Sequence, residues 1–209
     1  MTDSGVTVEH SAQRIEALTD GIYAVAMTLL VIDLKLPDRE LIHSTSDLIN
    51  AVVQLAPRFL AWLISFLVLA LFWYSHHRSF GYVRRATGRL MALNLVQLAF
   101  VSLMPFCSAL IGEHVRSLFS QIVYSTNMVV LAVFSLLVSR YVFRHPDLAT
   151  TPMPRAAFRG IQMRIFGLIA ISALSVGIGM VMPGFGNLAF MLMAIIMPLS
   201  RRIEARLNH

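Results

Sequence analysis

Charged and hydroxyl side chains begin the first long apolar segment of the chain. Arg14, Thr19 and Asp20 come directly before an apolar run that continues to Ile32. An aspartate beside hydrocarbon is costly, and such residues usually belong to ion pathways, proton relays or polar contacts between helices. The spacing of Arg14 and Asp20 puts them on different faces of one helix, so we expect each to have a partner on another helix. The alternative is that both are interfacial charges whose side chains extend into water.

Further polar residues lie at the ends of the next two apolar segments. Trp73 and His77 end the second segment, and Asn94 begins the third. A chain that crosses a membrane back and forth places all three at the depth of Asp20. We therefore predict a structural polar network that joins the first three helices and consists of Arg14, Thr19, Asp20, Trp73, His77 and Asn94.

The residue pattern does not favour enzyme or metal chemistry. His76 and His77 are adjacent and so point to different faces of a helix, and no Cys, Asp or Glu follows them at helical spacing to complete a metal site. The sequence contains no GxSxG, HExxH or Walker motif. We predict no enzyme activity, no metal site and no cofactor.

The overall composition indicates a membrane protein. Of 209 residues, 57% are hydrophobic and 13% are charged, which is far from the balance of a soluble domain. The net charge of +6 comes from basic residues at the ends of apolar runs, whereas nucleic-acid-binding proteins gather them into patches with aromatic residues. The composition therefore predicts an all-α protein embedded in the lipid bilayer, with no nucleic-acid partner.

The apolar runs predict a single membrane domain over residues 1–209, with six spans at about 12–35, 48–75, 90–111, 118–143, 160–182 and 187–200. Arginines concentrate in the connections after the second and fourth spans and in the C-terminal tail, and connections rich in Arg and Lys usually stay in the cytoplasm. We expect a multi-pass protein of the plasma membrane with both termini in the cytoplasm. No cleavable signal peptide is expected, because no basic segment precedes a short apolar core.

The first helix carries two stripes of side chains. One stripe is apolar with alternating spacings of four and three, which is typical of helices gathered about an axis. The other consists of small residues, which allow neighbouring helices to approach closely in a membrane. The apolar stripe is Leu18, Ile22, Val25, Leu29, Ile32 and Leu36, and the small one is Ala17, Gly21, Ala24 and Thr28. We expect this helix to lie inside an assembly, although hydropathy alone does not distinguish a bundle core, a lipid-facing surface and a hydrophobic pore lining.

The opening of the first helix resembles a family signature. The Arg-x-x-x-Phe-Ser-Asp motif of the transmembrane protein 175 potassium-channel family is written here as Arg14, Leu18, Thr19 and Asp20. The segments GIYAVAMTLLVIDLKLP and NLVQLAFVSLMPF are also similar to bacterial members, and the resemblance extends over essentially the whole chain. In that family the signature residues form a polar network with a tryptophan and a histidine of the second span. The resemblance implies that role for Trp73 and His77, and the depth argument adds Asn94.

The resemblance also implies an architecture. It implies a homotetramer of six-span subunits, in which four copies of the first helix line a central pore. The pore constriction would consist of stacked apolar layers at Val25, Leu29 and Ile32, with the Thr28 hydroxyl beside the pore. Val25 is shorter than the Ile or Leu usual at the first layer, and this wider ring is expected to weaken discrimination of potassium from sodium.

The sequence thus predicts a potassium-preferring cation channel. Its expected partners are further copies of itself in a homotetramer, the lipid bilayer and monovalent cations, with permeant potassium ions in place of a cofactor. The filter sequence TVGYG is absent, so selectivity would arise where a cation sheds part of its hydration shell in an apolar ring. The alternatives are a proton-coupled secondary transporter that uses Asp20 or His77, an assembly subunit without transport activity, and an intramembrane enzyme.

Overall fold

The computed structural model describes residues 10–36 and 42–193. Within these ranges the chain is helical apart from two short paired strands, β1 (His10–Ser11) and β2 (Arg85–Ala86). The α-helices are α1 (Ala12–Leu29), α2 (Thr45–Gln54), α3 (Ala56–Phe80), α4 (Gly88–Ser102), α5 (Met104–Glu113), α6 (Leu118–Arg144) and α7 (Arg155–Val181). Short 3₁₀ helices cover Leu30–Asp33, Pro146–Leu148 and Gly186–Leu192.

Five segments of the described part are long and apolar enough to cross a membrane, which makes the chain a multi-pass membrane protein. They are Ala12–Asp33, Ala56–Phe80, Gly88–Glu113, Leu118–Arg144 and Arg155–Val181. The predicted sixth span, 187–200, begins in the 3₁₀ helix Gly186–Leu192, and residues 194–200 lie outside the described residues. That span stays a prediction.

Two prolines account for the main differences between predicted and observed helix boundaries. The predicted second span, 48–75, falls on two helices, α2 and α3, which meet at Leu55. Pro57 has no backbone N–H and its ring crowds the preceding turn, so the helix breaks just before it. Pro105 does the same after Leu103, where α4 gives way to α5. The predicted fifth span, 160–182, corresponds to α7, which begins earlier, directly after Pro154.

The start of α2 is fixed by reciprocal capping. The Ser44 hydroxyl accepts a hydrogen bond of 3.1 Å from the Asp47 amide, and the Asp47 carboxylate accepts one of 3.2 Å from the His43 amide. Hydrogen bonding to the Asp47 carboxyl holds its pKa below the usual range. The larger effect comes from the Ser44 side chain and the smaller one from the His43 amide. The capping arrangement therefore includes a titratable group.

Helix α6 lies at the centre of the described part of the chain and packs against α4, α5 and α7. Polar groups join the helices inside this apolar core, as is common in membrane bundles. The Ser65 hydroxyl of α3 lies 3.0 Å from both the Ser108 hydroxyl of α5 and the Tyr124 hydroxyl of α6. The buried Gln121 amide of α6 likewise donates to the Ser175 hydroxyl at 2.5 Å and to the Asn187 carbonyl oxygen at 3.3 Å. These contacts fix α7 and the following 3₁₀ helix against α6.

Backbone pairing ties the connections together at the end of the bundle where α1 begins. Strand β1 directly precedes α1 and pairs with β2, which lies between α3 and α4. The same α3–α4 connection pairs with the segment after α6, through a bridge between Val83 and Ala149 and a 2.8 Å bond from the Arg84 amide to the Leu148 carbonyl. The entry to α1 is therefore held by the backbone of the α3–α4 connection, which is itself paired with the segment after α6.

Candidate pore-forming helix and its polar contacts

Helix α1 has one buried and one exposed face. The residues buried against the rest of the chain include Ile15, Thr19, Tyr23 and Ala26. The predicted pore residues all lie on the other face: Val25, Leu29 and Ile32 are 56%, 41% and 51% exposed, and Thr28 is exposed beside them. The chain thus leaves bulky apolar side chains uncovered along a membrane-length segment.

The exposed face of α1 borders a groove shared with α4. The groove has a volume of about 560 Å³, and its α1 wall includes the small residues Ala17 and Gly21. Leu95, Ala99 and Ser102 form the wall on α4. Small residues on a membrane helix permit close approach of another helix, so the shape and composition of this groove suit a neighbouring apolar helix. Ile22, predicted on the same apolar stripe, is instead half-buried and packs against the core.

Thr28 is the one residue with a hydroxyl group among the four predicted pore residues. Its oxygen lies 3.0 Å from the Ala24 carbonyl and 2.8 Å from the Val25 carbonyl, one turn back in the same helix. Because the hydroxyl hydrogen is directed to the backbone, the oxygen lone pairs are the part of the group that remains for other contacts. At this position the side chain could therefore act as an acceptor toward a cation.

Two side chains of α3 bind carboxylates of α1. The Trp73 indole N–H donates to Asp20 Oδ1 at 2.8 Å, and His77 Nδ1 lies 3.0 Å from Glu16 Oε1. The indole and imidazole rings stack with their centres 5.8 Å apart. Glu16 and Asp20 are separated by one helical turn, as are Trp73 and His77, so the two contacts lie side by side. The pair of helices is joined at a partly exposed site that contains titratable groups.

A second, buried set of contacts joins α1 to α4. The Asn94 amide donates to the Thr19 hydroxyl at 2.9 Å, and that hydroxyl donates to the Ile15 carbonyl at 2.8 Å. The Asn94 carbonyl oxygen faces His76 Nε2 at 2.8 Å, so the imidazole must carry its proton on that nitrogen to donate. The His76 ring stacks on Phe80 with centres 4.1 Å apart. The resulting chain of groups runs from α3 through α4 to α1.

One turn deeper, a further amide repeats the pattern. The Gln97 side chain donates to the Tyr23 hydroxyl at 3.2 Å, and both side chains are buried. Asn94 and Gln97 on α4 thus each reach a hydroxyl on the buried face of α1. An interhelical hydrogen bond in a membrane typically contributes about 0.6 kcal/mol and at most about 1.7 kcal/mol. Two of them, one turn apart, fix the rotation of α1 and so decide which of its faces stays exposed.

The predicted network is thus distributed over two sets of contacts. The structure brings Thr19 together with Asn94 and Asp20 together with Trp73, whereas His77 contacts Glu16. Arg14 is exposed, and the described residues provide no hydrogen bond or ion pair for its guanidinium. Sequence reasoning did not place His76, Glu16, Tyr23 or Gln97 in the network. A spacing of one helical turn separates the paired residues on each of the contacting helices. This matched spacing is the sequence feature that could have indicated them.

Charged residues also meet at the opposite end of α1. Arg58 of α3 and Glu113 of α5 form an ion pair of 3.3 Å, and the 3₁₀ helix that ends at Asp33 packs against both α3 and α5. Both partners are partly exposed, so the pair contributes at most about 1 kcal/mol. Within the described residues, no group of three His, Cys, Asp or Glu side chains is placed to hold a metal ion.

Comparison with known proteins finds similarity to one family of membrane channels. Residues 14–105, which include all but the first two residues of α1 and both sets of polar contacts, match the family model described as endosomal/lysosomal potassium channel TMEM175. A potassium channel of Streptomyces collinus is 37% identical over 123 residues, which are 57% of this chain and 58% of the relative. Over residues 14–105, which are less than half of the chain, this chain is similar to the TMEM175 family. It is similar to bacterial family members, as its opening motif predicted.

The relatives of this chain carry two kinds of name. A potassium channel of Chamaesiphon minutus is 38% identical over 101 residues, 48% of this chain and 49% of the relative. A human protein named endosomal/lysosomal proton channel TMEM175 is 39% identical over 100 residues, 46% of this chain and 20% of that protein. The alignments thus span about half the length of the bacterial relatives and a fifth of the human one.

Solved structures of the TMEM175 family have a similar fold. The crystal structure of a lysosomal potassium-selective channel TMEM175 homologue from Chamaesiphon minutus matches with a TM-score of 0.69 and 23% identity, over 95% of this chain and 98% of that one. A single-residue variant of the potassium channel MtTMEM175 matches with a TM-score of 0.51 and 15% identity, over 100% of this chain and 97% of that one. At these identities the likeness concerns the fold alone. The structural match extends beyond residues 14–105 to nearly the whole chain.

Proposed function

We propose that this chain forms a potassium-preferring cation channel, as a homotetramer in which α1 of each subunit lines a central pore. The observation that carries the proposal is the exposed apolar face of α1, formed by Val25, Leu29 and Ile32. The opposite face of the same helix is fixed to α3 and α4 by hydrogen bonds, so the exposed face is held in one orientation. Both bacterial relatives are named potassium channels, which supports potassium as the permeant ion.

The proposed selectivity depends on partial dehydration in an apolar ring. Four copies of each pore residue would form stacked rings at Val25, Leu29 and Ile32, and a hydrophobic constriction can gate a pore by dewetting. A potassium ion is larger and more weakly hydrated than sodium, so it loses less on entering such a ring. Thr28 adds a ring of hydroxyl oxygens between the first two layers, where they can replace part of the lost hydration.

The proposed location is the plasma membrane, with both termini in the cytoplasm. Exposed arginines concentrate at the end of the bundle where α1 begins, and they include Arg84, Arg89, Arg144 and Arg155. The opposite end has Lys35 and Arg58 balanced by Asp33 and Glu113, among other groups. The arginine-rich end is expected on the cytoplasmic side.

Ion flux from purified protein in liposomes tests the proposal. We expect potassium efflux through the wild type to exceed sodium efflux, with discrete currents in planar bilayers. Leu29→Ala is expected to raise conductance or reduce the preference for potassium, because it widens the ring. Leu174→Ala is the matched control, since Leu174 is a 46% exposed leucine on the membrane helix α7. Saturable flux without single-channel currents, or equal effects of both substitutions, would refute this pore.

A second candidate function is proton-coupled transport or proton conduction. It is favoured by the contacts of Asp20 and His77, which put a carboxylate and an imidazole at the entrance of α1, and by the names of vertebrate relatives. Flux that follows an imposed pH gradient, is lost in Asp20→Asn or His77→Gln, and saturates with substrate would favour this function. The absence of any flux would instead indicate an assembly subunit without transport activity.

A further inference from the structure

Exposed arginines gather on the outer surface where α4 begins and α6 ends. Arg89 lies in the first turn of α4, and Arg140 and Arg144 lie in the last two turns of α6. The Arg89 guanidinium carbon is 5.9 Å from the centre of the Tyr141 ring, so this arginine of α4 extends across to α6. Positions 140, 141 and 144 share one side of an α-helix. The three cations therefore surround one short stretch of surface.

Directly above these cations the surface is apolar. The rings of Phe100 on α4 and Phe134 on α6 stack with centres 6.3 Å apart and close the contact between the two helices. Three apolar side chains along the same contact are each 39% exposed: Val96 of α4, and Val133 and Leu137 of α6. Leu137 is one turn from Tyr141, so the apolar strip continues into the arginines without a gap. Such a strip suits acyl chains, and the cations below it lie where headgroups begin.

The charge of this surface is strongly one-sided. The acidic side chains at this end of the described part are Glu16, Asp20 and Asp147. Glu16 and Asp20 are engaged with His77 and Trp73 on the α1 side of the bundle. Among the described residues, Asp147 is the one acidic residue that follows α6, and it lies in the 3₁₀ helix Pro146–Leu148. An anion that approaches the arginines thus meets an excess of positive charge.

We propose that this surface, formed by Arg89, Arg140, Tyr141 and Arg144 and called here the arginine seam, binds the phosphate headgroup of an anionic phospholipid. Guanidinium groups bind phosphate oxygens bidentately, and basic residues beside membrane spans attract anionic lipids. The acyl chains lie along the apolar strip of Val96, Val133 and Leu137. The site goes beyond the proposed channel activity and is independent of it, because none of its residues belongs to α1.

Lipid titration in detergent micelles tests the arginine seam. Purified protein is titrated with phosphatidylglycerol and, separately, with phosphatidylcholine, and bound lipid is counted by native mass spectrometry. The variants are R89Q/R144Q, which removes two charges, and R89K/R144K, which keeps the charges needed for membrane topology. R116Q is the matched control, because Arg116 is an exposed arginine at the opposite end of α6. Thermal melting without added lipid confirms that each variant is folded.

The wild type is expected to bind phosphatidylglycerol more tightly than phosphatidylcholine. Each basic residue near a membrane surface contributes about 1 kcal/mol, which corresponds to about fivefold in affinity. R89Q/R144Q should therefore weaken phosphatidylglycerol binding about 25-fold, and R89K/R144K should weaken it less, because lysine keeps the charge and loses the bidentate geometry. R116Q should bind like the wild type.

Three results would overturn the proposal. The first is equal affinity of the wild type for the two lipids, or unchanged phosphatidylglycerol binding in R89Q/R144Q. The second is displacement of the lipid by millimolar inorganic phosphate, which would make the seam a site for soluble phosphate. The third is a change in oligomer mass of R89Q/R144Q with no change in lipid count, which would make the seam a contact between copies of the chain.

Discussion

The hydrogen bond between Asn94 and Thr19 provides a quantitative test of how α1 is held. Both residues are buried, and the amide and hydroxyl are 2.9 Å apart. We expect a double-mutant cycle of Thr19→Val and Asn94→Leu to give a coupling free energy of about 0.6–1.7 kcal/mol, the range for interhelical hydrogen bonds in membranes. Asn94→Leu alone should cost more, about 1–3 kcal/mol, because it also leaves the buried His76 N–H without its acceptor.

The assay is unfolding in mixed micelles of detergent and SDS. Trp73 and Trp62 are the two tryptophans of the chain, and Trp73 bonds to α1 beside the test pair, so its fluorescence reports separation of α1 from α3. The control cycle pairs Thr19→Val with Ser65→Ala, because Ser65 bonds to α5 and α6. It should be additive within about 0.5 kcal/mol. A test coupling no larger than the control coupling would refute the claim that this bond holds α1.

Three further predictions concern other parts of the fold. Gly186→Ala should destabilise the protein by about 1–3 kcal/mol, because a Cβ there would lie 2.6 Å from a backbone carbonyl oxygen of α7, whereas Gly177→Ala, with nothing within 4 Å, should be neutral or slightly stabilising in the same thermal melts. The lowered pKa of Asp47 means that its capping contribution is present above the unfolded pKa and is lost as pH falls through the folded pKa. The protection factors of α2 amides, which correct for the slower intrinsic exchange at low pH, should therefore fall at acidic pH, and Asp47→Asn should remove this pH dependence. Trp73→Phe should lower stability by about 0.5–1.5 kcal/mol through loss of the bond to Asp20, and the same change should cost less in an Asp20→Ala background, where the acceptor is already absent.

The membrane class and the faces of α1 were accessible from the sequence. The composition and the length of the apolar runs reflect whether lipid or water surrounds the chain. The observed spans follow these runs. The alternating spacing of Val25, Leu29 and Ile32 predicted one shared face, because helical geometry is local. Whether that face meets lipid, another subunit or a pore is not encoded in its hydropathy, so its pore-lining role stays a prediction.

The pairing of polar side chains was less accessible. Depth along the membrane put Asn94 near Thr19, but it did not distinguish His76, which is buried against Asn94, from its neighbour His77, which is largely exposed and contacts Glu16. Adjacent helix residues point in different directions, and only the rotation of α3 decides which one enters the core. That rotation depends on packing across several helices, and packing is not visible in any single segment.

The helix break before Pro57 shows a similar limit. Apolar residues lie on both sides of Pro57 and Arg58, so a span of 48–75 was predicted. The structure ends α2 at Gln54 and begins the candidate span at Ala56. A membrane helix tolerates a proline where neighbouring helices or side chains satisfy the freed backbone groups. Packing against those neighbours therefore determines whether one helix continues through the proline.

The most direct test of the central claim is chemical modification of Leu29→Cys during current recording. The native Cys107 is buried and should stay unreactive, so the introduced thiol is the accessible one in this part of the chain. A positively charged methanethiosulfonate reagent should reduce potassium current through Leu29→Cys, because it places a fixed cation in the proposed constriction, and should leave Leu174→Cys on α7 unaffected. If labelling of Leu29→Cys is complete, as measured by mass spectrometry, and the current is unchanged, α1 does not line the pore.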